Sequence, residues 1–212
     1  MKKTEQQLEQ LFADLPVVAI IRGVQPEEAV EIGSAIADAG IKIIEVPLNS
    51  PEPFQSIENL AKHFGDECVV GCGTLVNKKD AKRVADAGGR IAVTPNSNPA
   101  IIKRCRKLGL VPMPGWATPS EAFAAYQAGA RYLKLFPAST YGLGHVKAVT
   151  AVLPSDAKIL AVGGVGASDA KEWLNGGVDG FGIGSEIYKA GRSAEEVAER
   201  AAAVVKAIRA IQ

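Results

Sequence analysis

The sequence predicts a (β/α)8 (TIM) barrel, an α/β fold in which residues 1–212 form a single domain with an extra N-terminal helix. The first observation is that eight short, apolar runs begin 20 to 26 residues apart along the 212-residue chain. The second is that segments with helical spacing separate these runs. Near-continuous apolar runs of this length are typical of parallel strands buried on both faces. Eight such units fill a chain of this size; an open, doubly wound sheet is the alternative.

Eight strands are predicted, and β-branched residues recur in them because such side chains pack well on a pleated surface. The runs are VVAIIRG from Val17, KIIEVPL from Lys42, CVVGCGTL from Cys68, RIAVTPN from Arg90, LVPMPGW from Leu110, YLKLFPA from Tyr132, KILAVGGV from Lys158 and GFGIGSE from Gly180.

Helices are predicted between the runs because apolar residues recur there every three or four positions. The segments are EEAVEIGSAIADAG, FQSIENLAKHF, KKDAKRVADAGG, NPAIIKRCRKLG, PSEAFAAYQAGA, HVKAVTAVL from His145, and SDAKEWLNGG. Asn98-Pro99 and Thr118-Pro119 indicate helix starts. Glycines indicate helix ends at Gly40, Gly88, Gly109, Gly129 and Gly176.

Two further helices frame the barrel. An apolar stripe in the first helix is expected to close the barrel floor; it consists of Leu8, Leu11, Phe12 and Leu15. A second stripe lies in the helix that follows the last strand, at Ala201, Val204, Val205, Ile208 and Ile211.

Composition and charge restrict the class of partner. The chain has 24 Lys and Arg against 23 Asp and Glu, a formal charge of +1, so no overall field attracts nucleic acid or an anionic membrane. No apolar run approaches the ~18 residues of a transmembrane helix, and no secretory signal precedes the first strand. Three cysteines show neither disulfide nor metal-ligand spacing. We therefore expect a reduced, cytoplasmic protein without a nucleic-acid or membrane partner.

Lys134 is the first candidate catalytic residue, because active sites of such barrels lie at the C-terminal ends of the strands. In YLKLFPA, Lys134 and Phe136 face the barrel interior if the flanking leucines face the helices. Burial disfavours a charged lysine, and a neutral amine is the nucleophile that forms a Schiff base with a carbonyl substrate. A structural ion pair is the alternative.

Glu45 is predicted to enter the same interior, since it alternates with Ile44 and Val46 in KIIEVPL. A carboxylate there can move protons during carbinolamine dehydration and can take a proton beside the imine. The alternative is that Glu45 is the other half of the ion pair with Lys134. Two buried ionisable groups at the catalytic end of one barrel favour chemistry.

The mouth of the barrel carries candidate groups for an anionic substrate. Arg22 after the first strand and Thr74 after the third suit a carboxylate, whereas Cys72, on the same face as Thr74 by alternation, is interpreted as barrel packing. The last two strands end in glycine-rich loops whose backbone N–H groups can bind phosphate, although tight turns alone would also explain them. These loops contain Gly163, Gly164, Gly166, Gly182, Gly184 and Ser185.

The two histidines and two tryptophans receive lesser roles. His63 and His145 have no second metal-type ligand at helical spacing, so both are assigned to the solvated surface. Trp116 is expected to shape the mouth, and Trp173 is expected to pack in a helix.

These residues resemble the short class I (Schiff-base) aldolases that act on 2-dehydro-3-deoxy-6-phosphosugar acids. The similarity runs from Val17 to Gln212, through the blocks AIIRGV, IIEVPLNSP, GCGTL, VTPN, PGWATPSEA, LKLFPAS, AVGGV and GIGSEIY. It implies that Lys134 forms the imine with the substrate's keto group and that Glu45 is the general acid/base. It also implies a homotrimer with no metal or other cofactor. By the same resemblance, substrate contacts come from Arg22 and Thr74 at the carboxylate end and from Gly163, Gly164, Gly184 and Ser185 at the phosphate.

Two positions resemble the galactonate-type members of that family. Gluconate-type members typically have an arginine and a threonine after their EVTL block and a threonine before the double glycine, where this chain has Asn49 in PLNSP and Val162. We therefore expect cleavage of 2-dehydro-3-deoxy-6-phosphogalactonate to pyruvate and glyceraldehyde 3-phosphate. Val162 and Phe136 would contact the substrate, and Arg22 can take over the gluconate-type arginine's role.

Three alternatives remain at this stage. The first is a gluconate-type or bifunctional aldolase with the same chemistry. The second is a sugar-phosphate-binding barrel without catalysis, in which Lys134 and Glu45 form a structural pair. The third is a metal-dependent barrel lyase, which is disfavoured because no cluster of His, Asp and Glu is predicted at the strand ends.

Overall fold

The computed structural model describes residues 2–212, which form a closed parallel barrel surrounded by helices. The strands are β1 (Val17–Ile20), β2 (Ile43–Pro47), β3 (Val69–Gly73), β4 (Ile91–Val93), β5 (Val111–Met113), β6 (Gly115–Trp116), β7 (Tyr132–Leu135), β8 (Lys158–Val162) and β9 (Gly180–Ile183). The helices are α1 (Lys2–Asp14), α2 (Ala29–Asp38), α3 (Pro53–Phe64), α4 (Asp80–Asp86), α5 (Pro99–Lys107), α6 (Pro119–Gln127), α7 (Ala138–Thr150), α8 (Ala170–Asn175) and α9 (Ala194–Arg209).

The predicted barrel is confirmed, with one difference in its fifth strand. The strand order β5-β4-β3-β2-β1-β9-β8-β7-β6 begins and ends within the single run LVPMPGW. Proline has no N–H to donate to a ladder, and Pro114 separates β5 from β6. Its carbonyl still accepts a hydrogen bond from the Lys134 N–H at 2.9 Å. Eight predicted strands are therefore observed as nine.

Alternation along the strands creates two apolar layers. One layer lies between the strands and the helices. The other fills the barrel interior and includes Val18, Ile43, Val69, Ile91, Val111, Tyr132 and Leu160. Because parallel strands carry their first residues to the same end, most of these side chains fill the N-terminal half of the barrel. The interior of the opposite half is thus available for polar groups.

Helix α1 closes the floor of the barrel, as predicted. Leu8 is fully buried within the interior layer, and Leu11 and Phe12 pack against it. The Phe12 ring lies 5.2 Å from the ring of Tyr132, the first residue of β7. Leu15 instead joins the layer beneath the helices.

Shortening Leu8 should destabilise the protein. Leu8→Ala leaves a cavity in the barrel floor, so the free energy of unfolding should fall by about 2–5 kcal/mol, as for other buried leucines. Urea unfolding followed by circular dichroism measures the change. Leu11→Ala is the matched control, because Leu11 is only partly buried and should lose less. Equal losses for the two variants would contradict a plug centred on Leu8.

Most predicted helix ends are confirmed. Asn98 and Thr118 cap α5 and α6, and Thr118 forms a reciprocal capping box with Glu121. Four predicted terminal glycines have positive φ: Gly40, Gly88, Gly109 and Gly129. Gly176 caps the end of α8, as predicted, although the positive φ there belongs to Gly177. Helix α7 begins at Ala138 rather than near His145, because a first helical turn precedes a break at Gly142 (φ 71°, ψ 175°).

Within residues 2–212, none of the helices combines the length and the apolar character needed to cross a membrane.

Candidate active site

A cleft of about 850 Å³ opens at the C-terminal end of the barrel. The loops after β1, β3, β7, β8 and β9 form its walls. Nine of the ten predicted site residues line this cleft: Arg22, Thr74, Lys134, Phe136, Val162, Gly163, Gly164, Gly184 and Ser185. The tenth, Glu45, lies below the cleft and lines a smaller cavity of about 10 Å³ together with Lys134 and Val162. The structure therefore brings these ten residues together.

Lys134 lies at the base of the cleft, inside the barrel. Its backbone is paired with β6 and β8, which fixes the side chain on the interior face. The residue is 6% exposed, and its Nζ lies 4.9 Å from the centroid of the Phe136 ring. Burial lowers the pKa of the Lys134 ammonium, and the nearby Glu45 carboxylate opposes that shift only in part. More of this amine is therefore neutral at pH 7 than in an ordinary lysine.

Glu45 reaches the same interior from β2 and is 2% exposed. Burial raises the pKa of its carboxyl, while the charges of Lys134 and Arg22 act in the opposite direction. Gly73 makes room for this carboxylate, since a Cβ at Gly73 would overlap the Glu45 side chain. Sequence reasoning did not single out Gly73, and the only signal was that two of the five residues in β3 are glycines.

Lys134 and Glu45 do not form a direct ion pair. Both side chains lie within residues 2–212, yet neither a hydrogen bond nor a salt bridge joins them; both face the small cavity instead. A buried pair retained for stability normally requires close contact to offset the cost of removing two charges from water. The arrangement therefore favours two reactive groups over a structural pair.

Arg22 and Thr74 meet at the mouth of the cleft. The Arg22 guanidinium donates to Thr74 Oγ1 at 3.4 and 3.5 Å and to Asn49 Oδ1. Thr74 has a positive φ of 55°, which is unusual for a β-branched residue. This conformation ends the strand alternation, so the prediction that Thr74 shares a face with Cys72 is wrong. Cys72 lies in the layer beneath the helices, whereas Thr74 reaches the cleft.

The glycine-rich loops leave backbone donors free. Within residues 2–212, the N–H groups of Gly163, Gly164, Gly184 and Ser185 donate to no other group. Gly163 and Gly164 have φ values of 92° and 71°, which glycine adopts without strain. Two neighbouring loops thus bring residues with free N–H groups to the cleft, as a phosphate site requires.

Carboxylates limit this donor surface on one side. Asp169 Oδ1 accepts the Gly166 N–H at 2.8 Å, and Glu186 accepts the Ala167 N–H at 3.1 Å. The cleft also contains Lys189 and Ser168, which sequence reasoning did not select because exposed lysines and serines are common on any surface. Gly166, one of the predicted loop glycines, is thus turned toward Asp169 rather than left free.

Two predictions about aromatic residues are wrong. Trp116 is 1% exposed and packs in the layer beneath the helices, since it points away from the barrel interior. His145 does not belong to the solvated surface: its ring stacks on Trp116 at 5.6 Å, and its Nε2 is buried. His63 is exposed and contacts Ser34 Oγ at 3.2 Å, and Trp173 is buried in α8 as expected. In residues 2–212, no three His, Cys, Asp or Glu side chains cluster as metal ligands would.

Comparisons with known proteins find similar sequences and structures. The family model for KDPG and KHG aldolases matches residues 8–204. The 2-dehydro-3-deoxy-6-phosphogalactonate aldolase of Escherichia coli (strain K12) is 44% identical over 195 residues, which cover 92% of this chain and 95% of that protein. A solved structure described as native KDPGal superimposes with a TM-score of 0.91 at 43% identity, covering 93% of this chain and 96% of the other.

A second solved structure is a cube-shaped protein cage designed by fusing symmetric oligomeric domains. It is also 43% identical with a TM-score of 0.91, and the match covers 93% of this chain and 73% of the cage chain.

Proposed function

This chain belongs to the KDPG and KHG aldolase family, and we propose that it cleaves 2-dehydro-3-deoxy-6-phosphogalactonate to pyruvate and D-glyceraldehyde 3-phosphate. The observation that carries the proposal is the pair of buried, unbonded ionisable groups, Lys134 and Glu45, at the base of a cleft with free anion donors. The E. coli relative at 44% identity is named for this substrate. The experiment is a parallel assay of the galactonate and gluconate epimers, which should show faster cleavage of the former.

In the proposed mechanism Lys134 is the nucleophile. Its neutral amine adds to the C2 carbonyl, and the carbinolamine loses water to give an imine. The C3–C4 bond then breaks, its electron pair moves into the protonated imine, and the C4 hydroxyl loses its proton. Glyceraldehyde 3-phosphate leaves, the remaining enamine is protonated at C3, and hydrolysis of the imine releases pyruvate. The imine is the electron sink, so the reaction as proposed requires no metal.

Glu45 is proposed to move the protons in these steps. The carboxylate is close enough to Lys134 for the two charges to influence each other, and both line one small cavity. A carboxyl group whose pKa is raised by burial accepts and returns protons nearer to neutral pH than an exposed one. Because Glu45 faces the same cavity as Lys134, its position suits proton transfer at C3, which is bonded to the imine carbon, and at the C4 hydroxyl.

Anion recognition is assigned to the two sides of the cleft. Arg22 and Thr74 would bind the C1 carboxylate, since a guanidinium and a hydroxyl match a planar anion. The free N–H groups of Gly163, Gly164, Gly184 and Ser185 would bind the phosphate. Phe136 would cover the imine, because its ring lies over Lys134 Nζ and contacts Gly163.

Val162 is proposed to bias the choice between epimers. Val162 lines both the cleft and the small cavity, between Lys134 and the proposed phosphate loop. The C4 hydroxyl of a bound substrate would lie in this region. Valine presents only methyl groups there, and a threonine would add a hydrogen-bonding hydroxyl.

Val162→Thr should raise cleavage of the gluconate epimer relative to the galactonate epimer. One hydrogen bond is worth ~0.5–1.5 kcal/mol, so the ratio of kcat/KM values should change roughly two- to twelvefold. Pyruvate imine formation, which involves no C4 hydroxyl, serves as the internal control and should stay the same. An unchanged ratio would show that another residue discriminates, with Asn49 the next candidate.

Homotrimeric assembly in the cytoplasm remains a prediction. Assembly into an oligomer is supported by the cage structure, which was designed from symmetric oligomeric domains and is 43% identical. Light scattering coupled to size-exclusion chromatography measures the number of chains.

A further inference from the structure

The Arg22 side chain is held by neutral acceptors. Its guanidinium donates to the amide oxygen of Asn49, which follows β2, and to the hydroxyl of Thr74, which follows β3. No carboxylate lies within ion-pairing distance of Arg22 among the residues the structure describes. The guanidinium is therefore oriented from two strand ends without an ion-pair partner in residues 2–212.

This arrangement differs from that of the other arginines. In residues 2–212, every arginine except Arg22 and Arg104 pairs with an aspartate or a glutamate. Arg104 makes no side-chain hydrogen bond in this region and lies outside the cleft. Among the described arginines, Arg22 is thus the one that side chains position without an ion pair, and it also lines the cleft.

The backbone around Arg22 is fixed by the same segments. Ser50 Oγ accepts the Gly23 N–H at 2.9 Å, which joins the loop after β1 to the loop after β2. Thr74 keeps a left-handed conformation, a strained state that persists where the surroundings impose it and that clusters at functional sites. Asn49 therefore holds the side chain of Arg22, and Ser50 holds the backbone of Gly23, the next residue.

We propose that Asn49 is a positioning residue that, with Thr74, holds the Arg22 guanidinium at the cleft to receive the carboxylate of a keto acid. The inference rests on the proposed function, because it assigns Arg22 to the carboxylate end of that substrate. A neutral acceptor is required at position 49, since a carboxylate would hold Arg22 equally well but would cancel the charge that attracts the substrate. Asn49 thereby selects α-keto acids over uncharged carbonyl compounds.

Borohydride trapping with two carbonyl compounds tests this role. Pyruvate carries the carboxylate, and hydroxyacetone is a carbonyl compound of similar size without it. In Asn49→Ala, the second-order rate constant for trapping pyruvate should fall on the order of tenfold, the effect of one hydrogen bond to a charged group. The rate constant for hydroxyacetone should stay the same, because Lys134 is untouched. A merely structural role of Asn49 would lower both.

Three further variants complete the design. Arg22→Ala should lose more pyruvate trapping than hydroxyacetone trapping; any loss for hydroxyacetone reports the Arg22 charge that helps to lower the pKa of Lys134. Asn49→Ala added to Arg22→Ala should cause no further loss of pyruvate trapping, because Asn49 acts through Arg22. Asn49→Asp keeps an acceptor for Arg22 but adds a negative charge, so it should reduce pyruvate trapping more than Asn49→Ala does. Thr74→Ser, which keeps the hydroxyl, should retain more pyruvate selectivity than Thr74→Val.

The outcomes separate the positioning role from the proposed function. Equal losses for both carbonyl compounds in Asn49→Ala, or additive losses in the double variant, would overturn the positioning role while the aldolase proposal stands. Wild-type protein that traps neither compound would overturn the aldolase proposal, and the positioning role with it.

Discussion

Lys134→Ala is expected to abolish aldol cleavage while leaving the fold intact. Without the amine no imine forms, and the electron pair of the C3–C4 bond has no acceptor. Wild-type protein treated with pyruvate and borohydride should carry one stable adduct, on Lys134, which peptide mass mapping locates. Lys134→Arg should be equally inactive, because a guanidinium stays charged and cannot form the imine. Circular dichroism checks that both variants fold.

Lys158→Ala is the matched control for Lys134. Lys158 also belongs to a barrel strand, but it is exposed at the opposite end and pairs with Asp179 at 3.0 Å. Its removal should leave cleavage and trapping at the wild-type level. An unmodified Lys134, or an adduct on another lysine, would falsify the proposed mechanism and favour a binding protein without catalysis.

The pH dependence of trapping follows from the environment of Lys134. Burial lowers the pKa of its ammonium, and the reactive neutral amine is present above that pKa. The trapping rate should therefore rise with pH through a midpoint below that of an ordinary lysine. Replacing Glu45 by glutamine removes the charge that opposes the shift, so the midpoint should move lower still. If the trapping rate instead rose around the pKa of an ordinary lysine, the proposal that burial lowers the pKa of Lys134 would be contradicted.

Periodicity predicted the barrel and its interior side chains because a strand has two faces and the chain repeats its strand and helix units. Glu45 and Lys134 could be assigned to the interior from their neighbours alone, since each alternates with apolar residues that pack beneath the helices. The same rule failed at Thr74, where a positive φ reverses the side chain. Nothing in a single sequence indicates that a threonine adopts the left-handed region.

Other features depend on contacts between distant segments. Trp116 was placed at the mouth because it ends a strand, but alternation with the interior residues Val111 and Met113 turns its side chain outward, beneath the helices. His145 was assigned to the surface from helical spacing, whereas its burial depends on the Trp116 ring. The Asn49–Arg22 contact joins two loops that follow different strands. Periodicity in the sequence predicts helices and strands. Contacts between side chains of different elements become visible only when the three-dimensional fold is known.

Glu45→Gln is expected to reduce cleavage by ~10²–10⁴-fold, the usual contribution of a general acid–base group. The amide keeps the size and shape of the side chain, so it still fits against Gly73, but it cannot accept a proton. Exchange of the pyruvate methyl protons with deuterated solvent, followed by NMR, should fall in parallel, because exchange requires proton transfer at C3 after the imine has formed.

The pH profile of this exchange separates Glu45 from other proton carriers. Burial raises the pKa of the Glu45 carboxyl, and the base form is lost as the pH falls through that raised value. Exchange by the wild-type protein should therefore decline with falling pH at a higher pH than an exposed glutamate would give, and this acidic limb should disappear from the residual activity of Glu45→Gln. Glu52→Gln, at an exposed position outside the barrel, is the matched control and should keep the wild-type profile. If Glu45→Gln exchanged pyruvate protons at the wild-type rate, Glu45 would be structural, and water or another group would be the base.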